Sequence, residues 1–424
     1  MKKVIKERIE QIRHGNVPDG YKKVGADVIP MDWSKVAFSN LGIIASGLVD
    51  PKIPPYLHMQ HIGPDNIEKH TGRIWGTQSA SELGLISGKF YFDSDSIVYS
   101  KIRPNLNKVC APSFEGICSA DCYSIKPTKK ADKVYLLNLM LGHSFYKRAV
   151  ACSMRTGMPK INQDDLNIIP MCCPTDIAEQ TKIAEILTTQ DKVIELKEKR
   201  LAEKQRQKKY LMQALLTSKK RLPGFDGERK NYRLNQITKR VKRKNNVAND
   251  NVLTISAQHG LINQSEFFNK EIASEDKSNY YLLQRNDFAY NKSYSSGYPF
   301  GAIKRLTRYD VGIVSPLYIC FQIIAEEVSL EYMEQYFEAG LMNREIQAFA
   351  QEGARNHGLL NIAVDDFFNA KIVLPSYDEQ LAIADILTTA DKEIDLLRRD
   401  LEQEKQKKKA LMQLLLTGIV RVNA

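Results

Sequence analysis

The chain has 424 residues, 43% of them apolar and 26% charged, which excludes a disordered polypeptide and leaves room for two or three domains. A net charge of +11 and a pI near 9.1 favour an anionic partner such as nucleic acid. No apolar run approaches a membrane span, and the seven cysteines (Cys110, Cys118, Cys122, Cys152, Cys172, Cys173 and Cys320) contain no C-x-x-C pair, as expected of reduced, mostly buried thiols.

Residues 1–30 read as an N-terminal arm. Its opening Met1-Lys2-Lys3-Val4-Ile5-Lys6-Glu7-Arg8 mixes charge signs where a signal peptide needs an apolar core, which predicts a cytoplasmic protein. Val4, Ile5, Ile9 and Ile12 share one side of a short helix over 1–14, ended by Gly15 and Pro18 and expected to dock nearby. Residues 31–175 change to short β-rich runs such as Phe90-Tyr91-Phe92 and Ser96-Ile97-Val98-Tyr99, with one helical stretch near 134–151, the pattern of a compact α/β domain. A long helix fills 176–217, a linker with basic residues, Pro223 and Gly224 follows over 218–230, a second domain spans 231–375, and a second long helix opens 376–424.

The two long helices are copies of each other. Glu179 to Thr217 returns as Glu379 to Thr417 without a gap, with identities at Ile183/Ile383, Ile186/Ile386, Leu187/Leu387, Asp191/Asp391 and Lys192/Lys392. Leu187, Ile194, Leu201, Lys208 and Leu215 stand seven residues apart, as do Leu387, Ile394, Leu401, Lys408 and Leu415. That is a coiled-coil seam, and each helix is the obvious partner of the other. At 1.5 Å per residue such a helix is a rod of roughly 55 Å, the span of some 16 base pairs. Lys208 and Lys408 fall in core register, which predicts either an acidic group nearby or ammonium groups that reach out to water.

The two domains repeat more faintly. Tyr99-x-Lys101 matches Tyr290-x-Lys292, Gly116-Ile117-x-Ser119 matches Gly312-Ile313-x-Ser315, and Gln60-His61 matches Gln258-His259. Arg155-Thr156-Gly157 and Asp164-Asp165 have counterparts in residues 355–358 and in Asp365-Asp366. Between the matched anchors the loops differ: Ile102 to Lys108 in the first domain, the longer Ser293 to Gly301 in the second. A shared frame with unlike loops suits two readers of different targets.

Motifs for catalysis are missing. Gly84 to Phe90 has the wrong spacing for a phosphate loop, and Ile53-Pro54-Pro55-Tyr56 carries Ile where an amino-methyltransferase needs an Asn or Asp oxygen to accept from the target amino group. Pro64 to Lys69 matches a metal nuclease only loosely and reads as a surface turn, and His58 and His61 lack the further ligands of a zinc site.

At this point the residues carry a resemblance. Glu179-Gln180-x-x-Ile183-Ala184-x-Ile186-Leu187, its copy at 379–387, the segment Leu216 to Phe225, and the tracts Ser100 to Lys108 and Tyr290 to Tyr294 resemble the specificity subunit of type I restriction-modification enzymes over essentially the whole chain. The resemblance implies an α+β fold: two similar α/β target recognition domains separated by two long helices in an antiparallel coiled coil, with a pseudo-two-fold repeat. It implies a non-catalytic subunit that reads a bipartite, asymmetric site on double-stranded DNA, with two methyltransferase subunits alongside and restriction subunits outside them. It also implies no cofactor or metal in this chain, S-adenosylmethionine, ATP and Mg being expected in the partner subunits. The outward faces of the long helices and their ends near Gln180 and Gln380 are where it places methyltransferase contacts.

On this reading Lys101, Arg103, Lys108, Arg155, Lys292 and Lys304 are candidates for DNA, chiefly as phosphate partners, and the run Lys239 to Lys244 is a further one. Arg103, Asn105, Asn107 and Asn291 suit base edges, where a bidentate contact discriminates by about 1–3 kcal/mol, while Tyr290, Tyr294 and Tyr298 supply rings near them. Ile183, Leu187, Ile194, Leu201 and Leu215, with Ile383, Leu387, Ile394, Leu401 and Leu415, are the coiled-coil candidates. Two other readings stand beside this one: a coiled-coil scaffold that binds only proteins, and a self-contained DNA methyltransferase or nuclease.

Overall fold

The computed structural model describes residues 2–153, 159–256, 260–268, 277–295, 297–350 and 360–422. They form two compact units, residues 1–198 with 400–424 and residues 199–399. Among the described residues no helix is long and apolar enough to cross a membrane.

In the first unit, strand Trp33–Ala37 pairs antiparallel with Pro170–Pro174, so the start and end of the domain are tied together. Between them lies an antiparallel sheet in the order Gly42–Ile44, Cys122–Pro127, Ile97–Ser100, Val109–Cys110. A second sheet runs Gln78–Ser79, Gln60–Ile62, Gly116–Cys118, Phe90–Phe92, its central pair parallel. Helices Lys133–Leu141, His143–Ser153 and Gln163–Asn167 follow, the first capped by the Asp132 carboxylate on Tyr135 N–H and the last by Asn162 on Asp165 N–H. Helix Lys2–Arg13 docks through Arg8, which donates to Ile419 O and lies over the Tyr21 ring.

The second unit has the same order of parts. Lys230–Arg233 pairs with Lys371–Leu374, and the antiparallel sheet runs Thr238–Arg240, Ile319–Ile323, Phe288–Asn291, Ala302–Arg305. Hairpin Leu253–Ser256 with Gly260–Asn263 and pair Tyr281–Gln284 with Val311–Val314 stand for the second sheet. Helices Leu330–Glu338, Asn343–Phe349 and Val364–Asn369 complete it, with Ser329 capping Tyr332 as Asp132 caps Tyr135. The matched Gly116 and Gly312 have one cause: a Cβ on Gly116 would lie 2.5 Å from Gln60 O, and one on Gly312 would strike Leu253.

Helix Ile177–Leu216 and helix Tyr377–Leu415 carry the copied sequence, and their ends run antiparallel in each unit. In the first unit Gln190 donates to Glu404, Lys408 meets Asp191 at 2.6 Å, and Lys197 meets Asp400 and Glu404 at 2.7 and 2.9 Å. In the second, Lys208 meets Asp391 at 2.6 Å and Lys204 meets Glu393 at 2.8 Å. Of the two expectations for Lys208 and Lys408 the acidic neighbour is the one found, an aspartate of the opposite helix.

The apolar positions do more than line a seam. Ile183, Leu187 and Leu415 belong to one core with Trp33, Phe38, Tyr135 and Leu136, while Leu215, Ile383 and Leu387 belong to another with Tyr290, Phe321 and Tyr332. Ile194, Ile394 and Leu401 are buried and Leu201 is half-buried. Burying one such side chain contributes about 2 kcal/mol.

The helix starts are tied to their own domains through two matched glutamines. Gln180 is fully buried, accepts from Asp132 N–H and donates to Lys130 O and Pro174 O. Gln380, 2% exposed, does the same with Ser329 N–H, Glu327 O and Pro375 O. Each glutamine side chain is used up holding its own domain to the helix, while Ile177, Tyr377 and Leu381 beside them stay exposed.

Candidate nucleic-acid interface

In the first unit the chain leaves strand Ile97–Ser100 at Lys101 and returns at Val109. The intervening loop holds one 3-10 turn, Pro104–Leu106, flanked by Arg103 and Asn107 with φ of 49° and 41°. Non-glycine residues seldom take this conformation, so contacts must hold it. Lys101 N–H donates to Asp121 O at 2.9 Å, Ile161 N–H to Lys101 O at 2.9 Å, and Arg103 N–H to Pro159 O at 2.7 Å. Arg103 and Asn105 are exposed, and the Arg103 guanidinium makes no hydrogen bond or ion pair among the described residues. Burial, then the neighbouring Lys160 charge, hold the Lys101 ammonium below its usual range. A phosphate beside these two lysines would relieve that repulsion.

Residues that the sequence did not single out complete this edge. Lys160 bridges Ile102, Tyr146 O–H donates to Asn105 O at 3.5 Å, and the Tyr146 ring has His70 at 5.5 Å and His143 at 6.4 Å. His143 and Tyr146 share a helix face by their spacing of three, a signal present in the sequence. His70 is brought in by folding alone.

Other first-unit candidates are placed differently. Asn107 is 1% exposed and its amide donates to Met140 O and Leu141 O at 3.3 and 3.4 Å, so it reads no base edge. Lys108 donates to Pro64 O at 2.5 Å with its side chain 17% exposed, which removes it from the phosphate candidates. Arg155 lies outside the described residues, as do the matched segments Gln258-His259 and 355–358.

In the second unit the corresponding loop follows strand Phe288–Asn291. Tyr290 is fully buried, stacked on Phe367 at 5.0 Å, with its hydroxyl donating to Phe300 O at 2.7 Å, so it is core. Lys304 and the Tyr298 hydroxyl both donate to the Glu338 carboxylate, and Lys304 lies over the Tyr298 ring at 4.8 Å. Both are therefore internal ties rather than DNA contacts. Asn291 accepts from Ser293 N–H at 3.1 Å, Lys292 O accepts from Leu360 N–H at 3.0 Å, and Tyr294 stands 65% exposed. The basic run divides: Lys239 and Lys242 are exposed, whereas Arg243 pairs with Asp287 and Lys244 donates to Asn279 O.

The described thiols are free, and burial raises those of Cys110, Cys118, Cys122, Cys173 and Cys320, with that of Cys118 pushed up to about 12. His61 carries a pH signature. Burial, reinforced by Lys89, lowers its pKa from 6.5 to about 4, and its Nε2 has no hydrogen-bond partner. The unfolded imidazole takes its proton near 6.5 and the folded one only near 4, so this contribution is whole above pH 6.5 and is lost as pH falls towards 4. Urea unfolding between pH 7 and pH 4 should show a shallower decline for His61→Gln than for the native chain; equal slopes would refute the assignment.

Both units thus put a loop of different length and chemistry at the same place on the same frame, which defines a duplicated α/β module joined to paired helices. Residues 67–205 match the family model described as "Type I restriction modification DNA specificity domain". The chain is 38% identical over 178 residues to the "Type I restriction enzyme EcoDI specificity subunit" of Escherichia coli. The match covers 42% of this chain and 37% of that relative, so the chain spans well under half of its length. Two solved structures share the fold. A chain from a study of complex assembly and conformational transition of the type I R-M system gives a TM-score of 0.57 at 15% identity, covering 92% of this chain and 99% of that one. The type I restriction-modification system S subunit from M. genitalium gives 0.55 at 11% identity, covering 90% and 96%.

Proposed function

We propose that the chain is the DNA-recognition subunit of a type I restriction-modification complex, working in the cytoplasm without catalysing a reaction itself. Each unit reads one half of a bipartite, asymmetric site, and the subunit directs methyltransferase and restriction partners there. The observation that carries this is the identical placement of unlike loops: a basic turn with exposed Arg103 and Asn105 in one unit, a longer loop with exposed Tyr294 in the other. Lys101 and Lys160 supply charge for phosphates, and base-edge contacts then decide the sequence.

The duplication of the long helices, in which exposed Leu196 and Leu396 stand at matched positions, suits two equivalent docking places and hence two methyltransferase subunits. S-adenosylmethionine, ATP and Mg would be held by the partners, where methyl transfer and DNA cleavage take place. This chain contributes position only.

The test is sequencing of modified adenine in a host without systems of its own, with the chain co-expressed with its methyltransferase and, in parallel, the methyltransferase alone. A split motif with unlike halves should appear only when the chain is present. Modification that never depends on the chain, with both proteins folded and associated, would favour the protein-binding scaffold instead.

A further inference from the structure

We propose that Asn107 is a positioning residue for sequence reading by the first unit: its buried side chain fixes the loop that offers Arg103 and Asn105 to DNA. The proposal rests on the recognition reading above and names the device that sets its specificity.

Asn107 ties three segments together. Its Nδ2 donates to Met140 O at 3.3 Å and Leu141 O at 3.4 Å, at the end of helix Lys133–Leu141, where carbonyls have no helical donor. Its carbonyl accepts from His70 N–H at 3.3 Å, which holds the turn whose ring packs on Tyr146. Its own N–H donates to Pro104 O at 3.0 Å, closing the 3-10 turn that carries Asn105.

The residue type follows from these demands. A φ of 41° favours Gly, Asn or Asp. Gly has no donor, and Asp would set a carboxylate against two carbonyl oxygens, leaving Asn as the one that satisfies both backbone and carbonyls. It does so at a cost, since Asn107 Oδ1 is buried without a partner. The second unit anchors its different loop by the Tyr290 hydroxyl on Phe300 O instead. A bidentate base contact tolerates little misplacement, so a loop freed at Asn107 would keep its charge and lose its aim.

The experiment selects duplexes randomised across the binding length with the full chain and with Asn107→Gly, which keeps the left-handed backbone and deletes only the tie. Asn107→Asp is the second variant, used if the glycine chain loses its folded circular dichroism. Asn138→Ala is the control: its amide is 3% exposed and donates to Val134 O in the same helix, so it lowers stability without touching the loop. Arg103→Ala marks which half-site the first unit reads.

Asn107→Gly should relax preference in that half about tenfold, the worth of roughly one hydrogen bond, with the other half and the affinity for unrelated duplex unchanged. Asn138→Ala should leave both halves intact. Retained preference in both halves, or equal relaxation of both, would overturn the positioning role. A native chain that enriches no sequence would instead sink the recognition reading, and this proposal with it.

Discussion

Replacing Arg421 with alanine should destabilise the first unit by about 3–5 kcal/mol, the cost of stranding a buried carboxylate. Arg421 donates through Nε and Nη2 to the Glu179 carboxylate at 2.7 and 2.8 Å, and through Nη1 and Nη2 to Asp32 at 2.8 and 2.6 Å. The Glu179 side chain is 5% exposed and has one further donor, the Trp33 indole at 3.3 Å. Without the guanidinium a carboxylate is left inside the core that Trp33, Ile183 and Leu187 share. The copied position gives the comparison: Arg221 grips Glu379 in the same two-pronged way at 2.8 Å, but Arg229 stands by at 3.8 Å. Arg221→Ala should therefore cost less, about 2 kcal/mol. Urea denaturation of the two variants measures both, and an Arg221→Ala chain less stable than Arg421→Ala would contradict the account.

The copied helices show what was legible in the sequence. The offset of 200 residues pairs Glu179 with Glu379 and Gln180 with Gln380, and the structure extends it to Arg221 and Arg421: the glutamines make matching backbone contacts and each arginine grips its glutamate. Periodicity revealed the helices because a heptad repeat is local. It could not reveal that Ile183 and Leu187 also face a β domain, because a buried stripe reads the same whichever surface covers it.

The candidate site was less legible, for a physical reason. Polar residues in a loop look alike in sequence whether they face solvent or spend their donors internally. Arg103 and Asn107 lie in one tract with similar backbone angles, yet one side chain is exposed and the other buried against Met140 O. Lys304 resembled a phosphate contact until Glu338, supplied by a distant helix, took its charge. Tyr290 was matched to Tyr99 as part of a repeated frame, and both are fully buried. That repeat was the better guide: the matched Tyr99 and Tyr290 belong to the frame, and the unlike residues between are where the proposed reading puts selectivity.

Exchanging residues 31–175 for the matching segment of a related chain should change one half of the recognised motif completely and leave the other as it was. Each unit has its own apolar cores, formed by its own residues, so no side chain of the second unit's cores is altered by the exchange. The glutamine ties to the helix should survive because they do not depend on the side chains exchanged. Gln180 binds Asp132 N–H, Lys130 O and Pro174 O, and Gln380 binds Ser329 N–H, Glu327 O and Pro375 O. All six partners are backbone groups, and at two of the three matched places the domains present them with different residues. Side-chain contacts limit which donors will work: the incoming segment needs a carboxylate at position 32 for Arg421, an indole at 33 for Glu179, a cation at 73 for Glu198, and apolar residues to cover Ile183 and Leu187. Adenine modification mapping of such a chimera gives the answer directly. A motif altered in both halves would mean that the units do not read independently, whereas a folded chimera with an unchanged motif would place recognition outside residues 31–175.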